Sequence, residues 1–356
     1  MTLFDSPAFE AHEEVHAFHD AKSGLKCLIA VHSTALGPSA GGCRMWDYPT
    51  AEDALTDALR LSRAMSYKNA MADIALGGGK AVILGDSRTA KTPALFEALG
   101  RAVESLSGRY WAAEDVGISP SDLAYAHKHS RYIAGLDGHP AASGDPSPVT
   151  ADGVFRGIRL CVRRALEREL DGVTVAIQGV GHVGAYLADR LHAAGAKLVI
   201  CDVNAEAAAE VAARTGAKVV APGAIFDAEA DVFAPCALGG AINAETLPRL
   251  KPRIIAGGAN NQLATPEIGR AVFDDGILYA PDYVINGGGI INVAGEIRAL
   301  DRNEGFDPAW VESKVARMIE TLEEVLDRAI SESRPTHEIA NRIAQGRIAA
   351  AEAARG

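Results

Sequence analysis

Apolar and polar positions follow two textures along this chain, and the change falls near residue 140. Before it, strand-like and helix-like patterns are mixed. LKCLIAVHST, near residues 25 to 34, is rich in β-formers and bounded by Ser and Gly, which predicts a strand. From Ala51 to about Asp73 apolar residues recur at 54, 55, 58, 59, 61 and 65, a mostly helical period. Thr50 stands where a helix cap is needed, and Glu52 and Asp53 fall in the first turn. KAVILGD and YWAAEDV read as buried strands separated by a helix over TPALFEALGRAVESL.

The cluster GHPAASGDPSPV, residues 138 to 149, breaks this pattern and reads as an interdomain hinge. Beyond it the alternation becomes regular. TVAIQGV, KLVICDV, AKVV, DVFAPCA, RIIAGGAN and ILYAPDYVIN are short apolar runs separated mostly by helical or turn-like pieces, the pattern of a parallel sheet with crossover helices. After Gly305 the chain reads as helical to its end, with a break at Pro335.

Length and composition narrow the function classes. At 356 residues the chain exceeds the size at which one core keeps growing, so two domains with a cleft between them are expected. No apolar run approaches the roughly 20 residues that span a bilayer. MTLFDSPAFEAHEEVHAFHD lacks the basic start and apolar stretch of a secretory signal, so a cytoplasmic location is expected. A net charge of -11 disfavours nucleic acid and anionic membrane as partners and favours a small molecule. Cysteines at 27, 43, 161, 201 and 236 are odd in number and show no C-x-x-C spacing, so reduced structural thiols are expected.

In TVAIQGVGHVGAYLADRLHAAGAKLVICDV a strand runs into Gly179, Gly181 and Gly184, a helix opens at His182 and Val183, and a second strand ends at Asp202 and Val203. This is the G-x-G-x-x-G fingerprint with an acid about 20 residues on. The first glycine allows the tight turn, the second admits a pyrophosphate, the third lets helix and strand pack, and the helix N-terminus offers free N–H groups to negative charge. Asp202 would accept hydrogen bonds from a ribose diol and repel a 2′-phosphate, which favours NAD over NADP.

A hydride enzyme also needs groups that orient substrate and move protons, and Lys68, Lys80 and Asp115 are the candidates. Lys80 follows three glycines and precedes an apolar run, ALGGGKAVILGD. Burial there disfavours an ammonium, and a second cation such as Lys68 would disfavour it further, leaving Lys80 able to act as a general base. The glycines would leave the space that a substrate fills.

GPSAGGCRMW, DALRLSRAMSYKNAMADIALGGGKAVI, AEDVG, SPVTADGVFRGI, GVGHVG, FAPCALGG, AGGANNQL and INGGGIINVAGE, taken together and in order, resemble the leucine/phenylalanine/valine branch of the glutamate dehydrogenase superfamily. The resemblance implies an α/β fold with an N-terminal substrate and oligomerisation domain, residues 1–138 joined by the helices of about 331–356, and a Rossmann-type doubly wound NAD-binding domain, 139–330. It implies reversible oxidative deamination of an L-amino acid to a 2-oxo acid and ammonia, without a metal, in a homo-oligomer, a dimer or an octamer. Lys68 would hold the substrate carboxylate, Lys80 would activate water, and Asp115 would carry a proton to and from the amino group. Thr150, Cys236, Ala237 and Asn260 fall at cofactor positions, and Asn260 or Asn261 would also meet the substrate.

By the same resemblance Ala40, Gly41, Gly78, Ala113, Ile290 and Val293 line the side-chain pocket. All are apolar or small, so a hydrophobic side chain is expected, since a charged one would be buried without a partner. Branched aliphatic substrates are favoured over aromatic ones. The family's leucine enzymes commonly carry leucine where this chain has Ala40, which implies a deeper pocket. A metal-dependent decarboxylating dehydrogenase would need a carboxylate cluster, for which only AED at 113 to 115 offers a start. An NAD-sensing regulator without activity is the non-enzyme alternative.

Overall fold

Strand pairing sorts the chain into two sheets of different kinds. A computed structural model describes residues 3–355. The chain separates into two compact units: Met1–Gly144 with Ile290–Glu312 and Ala344–Gly356, and Asp145–Gly289 with Ser313–Ile343.

The first unit begins with β1 (Glu14–Asp20), β2 (Leu25–Ser33), β3 (Ser39–Trp46), α1 (Ala51–Met71), β4 (Gly77–Leu84), α2 (Pro93–Glu104), β5 (Tyr110–Glu114) and α3 (Pro120–His127). Its strands form a mixed sheet of order β1-β2-β4-β3-β5, antiparallel from β1 to β4 and parallel among β4, β3 and β5. β4 is central and buried along nearly its whole length. Ala81 and Ile83 join a core with Leu95, Phe96 and Leu99 of α2, while Val82 meets Ala54, Ala58 and Leu59 of α1. A strand buried on both faces carries an unbroken apolar run, which is why KAVIL is legible without alternation. The caps act as the sequence predicts: Thr50 Oγ1 accepts from Asp53 N at 3.1 Å.

The second unit contains α4 (Ser147–Leu166), β6 (Thr174–Gln178), α5 (His182–Ala193), β7 (Lys197–Cys201), α6 (Ala205–Thr215), β8 (Lys218–Val219), β9 (Val232–Pro235), β10 (Ile254–Ile255), α7 (Pro266–Asp274), β11 (Leu278–Tyr279) and α8 (Asp282–Ile285). Its six strands are parallel in the order β11-β10-β9-β6-β7-β8. That is the doubly wound Rossmann order, with the switch point beside β6. ILYAPDYVIN, expected as one apolar run of the sheet, contributes only two residues to β11 before Pro281 starts the short helix α8.

Three helices complete the chain: α9 (Gly288–Arg302), α10 (Pro308–Glu332) and α11 (Thr336–Ala353). Their division between the units differs from the sequence-based boundaries. Ile290–Glu312 belongs to the first unit, where Glu296, almost fully buried, accepts from the N–H groups of Gly135, Leu136 and Ser143 and from the Ser143 hydroxyl. Arg347 likewise donates to Ala70 O at 2.9 Å. The start of α11 instead belongs to the second unit, where Thr336 Oγ1 donates to Tyr279 O and the Tyr283 hydroxyl to Asn341. All five cysteines are free thiols. No helix among the described residues is long and apolar enough to cross a membrane.

Candidate functional site

Register in the first unit brings several of the proposed residues onto one face of the sheet. Ala40 pairs with Gly78 on one side and Trp111 on the other, and Gly42 pairs with Ala113. Side chains two apart on a strand share a face, so Ala40, Lys80 and Ala113 look the same way. Asp115 follows directly after β5. Lys80 Nζ donates to Asp115 Oδ2, although β3 lies between their strands. Gly42 makes that meeting possible: a Cβ there would lie 2.7 Å from Asp115 Cβ and 2.6 Å from Glu114 O.

Lys80 is only 5% exposed. Its observed contact is with the carboxylate of Asp115. Burial acts to raise the carboxyl of Asp115, yet the Lys80 ammonium and the Arg44 guanidinium outweigh it and hold the carboxyl below its usual range. Asp115 Oδ1 accepts from Val116 N at 2.7 Å, which fixes the carboxylate from its other side. Lys68 is half-buried in the last turn of α1, three residues after Met65 on the same helix face.

The glycines carry a different burden from the one expected. Gly77–Gly79 lie inside β4, and none opens onto ligand space. A Cβ on Gly77 would strike Ser33 O at 2.0 Å, one on Gly78 would strike Ser66 N of α1 at 2.1 Å, and one on Gly79 would meet the Tyr110 ring at 2.6 Å. Gly41 is similar, with Gly79 O at 1.9 Å. The expectation that a side chain in GGG would occupy the substrate's place is therefore corrected: Gly77 and Gly78 are small because neighbouring backbone presses on them, and Gly79 because the Tyr110 ring does. Ile290 and Val293 are half-buried, three residues apart on one face of α9.

In the second unit the fingerprint is built mainly from backbone. Gly179 has φ +92° and faces Ala237, whose Cβ a side chain would meet at 2.8 Å. Gly184 sits over the Gly179 carbonyl, 2.1 Å from where its own Cβ would be. Gly181 differs from both. A Cβ there would meet nothing within 4 Å, and it caps α5 with no side-chain hydrogen bond, so the helix N-terminus is open where a pyrophosphate needs it. Asp202 accepts from Val180 N and from Asn204 N, each at 2.8 Å, so the acid and the glycine loop hold each other in place. Cys236 Sγ accepts from Gly258 N, its thiol pushed up to about 11 by burial, and Val183 packs where a side chain on Gly258 would go. These residues fit a dinucleotide.

The matches to known proteins agree with this geometry. A family model described as Glu/Leu/Phe/Val dehydrogenase, dimerisation domain, matches residues 12–132, and one described as Glutamate/Leucine/Phenylalanine/Valine dehydrogenase matches 147–208 and 200–356. The chain belongs to the Glu/Leu/Phe/Val dehydrogenase family. It is 45% identical over 349 residues to a leucine dehydrogenase of Geobacillus stearothermophilus, covering 98% of this chain and 94% of that one. A phenylalanine dehydrogenase of Bacillus thermotolerans is 42% identical over 356 residues, covering 98% and 91%. The crystal structure of an L-tryptophan dehydrogenase from Nostoc punctiforme superposes with a TM-score of 0.85 at 40% identity, covering 96% of this chain and 97% of that one.

Four residues of this family member escaped the sequence reading. Arg44 and Gly42 shape the surroundings of Asp115. Asn286, only 3% exposed, donates to Asn260 Oδ1 at 2.8 Å and so orients that asparagine. Leu238 stands 84% exposed beyond Ala237, as Val203 stands 93% exposed beyond Asp202, and two bare apolar side chains next to a nucleotide fingerprint suit a flat base. Asn261 adopts φ +51°, a left-handed turn that asparagine tolerates, and neither asparagine caps α7, whose N-cap is Thr265. Thr150 lies in the first turn of α4, where its hydroxyl donates to Pro146 O at 2.9 Å. Among the described residues no group of three or more His, Cys, Asp or Glu could hold a metal ion.

Proposed function

We propose that the protein catalyses the reversible, NAD-dependent oxidative deamination of a hydrophobic L-amino acid, branched aliphatic in preference to aromatic, giving the 2-oxo acid and ammonia. Bound nicotinamide supplies the hydride acceptor. The observation that carries the assignment is the buried contact of Lys80 with Asp115, in a chain related along its whole length to leucine and phenylalanine dehydrogenases.

Lys68 pairs with the substrate carboxylate and sets the amino group toward Asp115. Asp115 takes a proton from the substrate ammonium, so that the nitrogen lone pair assists hydride departure from Cα. Lys80, as the free amine, deprotonates the water that adds to the resulting iminium carbon. Asp115 then returns its proton to the nitrogen, which leaves as ammonia while the hydroxyl proton passes to solvent and the carbonyl forms. The hydrogen bond between Lys80 and Asp115 offers a path by which the lysine can shed the proton gained from water once Asp115 has given up its own. Ala40, Ala113, Ile290 and Val293 receive the substrate side chain. Thr150 and Asn260 would meet the nicotinamide end, and Gly179, Gly181, His182, Val183, Gly184, Cys236 and Ala237 would hold the phosphates and ribose.

Asp202 favours NAD because its carboxylate accepts from a free 2′-hydroxyl and repels a 2′-phosphate. Assembly into a homo-oligomer through the first unit is supported by the dimerisation domain of the family, which matches there. The decisive assay is NADH or NADPH formation with a panel of L-amino acids, run with both cofactors. Turnover of leucine, valine and isoleucine with NAD is expected. Silence across the panel would leave a nucleotide-binding protein without this chemistry.

A further inference from the structure

Asp115 is held by more than the lysine. Arg44 projects from β3, two residues beyond Gly42, and its Nε lies 3.5 Å from Asp115 Oδ2, the oxygen that also takes the Lys80 ammonium. The other end of the guanidinium is anchored by α1: Arg44 Nη1 donates to Asp57 Oδ2 at 2.9 Å, and the same oxygen accepts from the Tyr48 hydroxyl. Arg44 Nε is buried and finds no hydrogen-bond partner among the described residues. An unsatisfied buried donor is costly, so the guanidinium needs a compensating interaction, and the carboxylate beside it supplies one. Arginine suits the position because its charge is permanent and its planar head can face two carboxylates at once.

The geometry points to Arg44 as a positioning residue for the reaction: gripped by Asp57 and Tyr48, its guanidinium fixes the Asp115 carboxylate against Lys80 and sets the field in which Asp115 exchanges protons with the substrate nitrogen. This rests on the proton role given to Asp115 under the proposed function. The other groups around Asp115 do not compete for that part. Cys43 of β3 and Tyr110 of β5 feel its charge, but burial pushes both well up, so they remain neutral. Glu114 turns toward Gly135, and Lys68 of α1 is assigned to the substrate carboxylate. That leaves Lys80 and Arg44 as the cations facing the carboxylate, with Asp57 tempering Arg44 from behind.

The test is the pH profile of kcat for leucine oxidation at saturating leucine and NAD. Asp115 works in its charged form and Lys80 as the free amine, so activity fades on the acidic side as the coupled pair takes up a proton. Removing a cation beside the pair makes that uptake easier, and Arg44→Gln should move the acidic limb upward by roughly one unit or more. Arg44→Lys should restore most of the shift. Asp57→Asn keeps the hydrogen bonds to Arg44 and Tyr48 but removes the opposing anion, so its limb should move the other way, downward and by less. A purely structural role for Arg44 would lower Tm and the active fraction without moving either limb.

An unshifted limb in folded Arg44→Gln overturns the inference. Should that variant fail to fold, Asp57→Asn decides, and a limb that stays put or rises overturns it. Asp115→Asn separates the two levels: if it turns over at the parent rate, the proton role of Asp115 itself is wrong, whereas an inactive Asp115→Asn beside an unmoved Arg44→Gln refutes only the part given to Arg44.

Discussion

The two candidate sites are made of different parts of the amino acid. In the first unit the proposed chemistry falls to side chains that arrive from separate strands, Arg44 from β3, Lys80 from β4 and Asp115 from the end of β5, and each is fixed by charge. In the second unit the proposed recognition falls to backbone, at Gly179, Gly181 and Gly184, with Asp202 the main charged participant. A proton-transfer site needs groups whose charge can change, while a pyrophosphate site needs N–H groups that do not change at all. The contrast predicts that substitutions in the first unit alter rate and pH dependence, and that those in the second alter cofactor affinity or folding.

Lys80→Ala tests the first half of that contrast with the largest expected effect. Loss of a general base should lower kcat for leucine oxidation by roughly 10²–10⁴-fold, with KM for NAD nearly unchanged. Stopped-flow or steady-state NADH absorbance measures the rate, and circular dichroism checks that the unit is still folded. Asp115 keeps Arg44 as a partner, so the carboxylate is not left wholly unpaired. A variant that deaminates at the parent rate would refute the role given to the amine.

Three glycine substitutions test the second half. Gly181→Ala adds a methyl group where the protein itself has open space, so thermal stability should hold while KM for NAD rises roughly tenfold or more, the effect of about 1–3 kcal/mol of steric conflict. Gly184→Ala drives the same methyl into the Gly179 carbonyl, and Gly78→Ala drives it into the backbone of α1. Both should cost folding stability, about 1–3 kcal/mol or several degrees in Tm by differential scanning fluorimetry. If Gly78→Ala instead kept the parent Tm and weakened only substrate binding, the packing account of GGG would fail.

How much of this was legible beforehand follows from the same contrast. The fingerprint is local: its turn, helix start and acid lie within one strand-helix-strand unit, so spacing alone fixes their places. The central strands of the doubly wound sheet were legible for a like reason, since TVAIQ and VFAP are short apolar runs buried on both faces. Arg44 was invisible because its meaning depends on Asp57 and Asp115, brought near it only by α1 packing and by strand order. GGG was misread because a glycine shows only that a side chain is missing, not what would have struck it; Ser33, Ser66 and Tyr110 supply that answer from three other elements. The assignment of Ile290–Glu312 to the first unit is supported by contacts such as those of the buried Glu296, which no periodicity distinguishes from a surface acid.

The smallest expected effect concerns which amino acid is taken. Ala40 pairs in register with Gly78 and shares a face with Lys80, so its side chain stands on the part of the sheet where the substrate is proposed to react. Replacing it by leucine adds three carbon atoms beside a neighbour that has no side chain. The added bulk should shorten the pocket and penalise an aromatic substrate more than a branched aliphatic one, by about 1–3 kcal/mol at most. Comparing kcat/KM for leucine, valine and phenylalanine between the parent and Ala40→Leu reads that difference directly. Because Ala40 is only 1% exposed, the leucine could also strain β3, and strain would lower all three values together. The informative quantity is therefore the ratio of phenylalanine to leucine: a fall places position 40 at the side-chain end of the pocket, and a constant ratio with uniformly lower rates assigns it to packing alone.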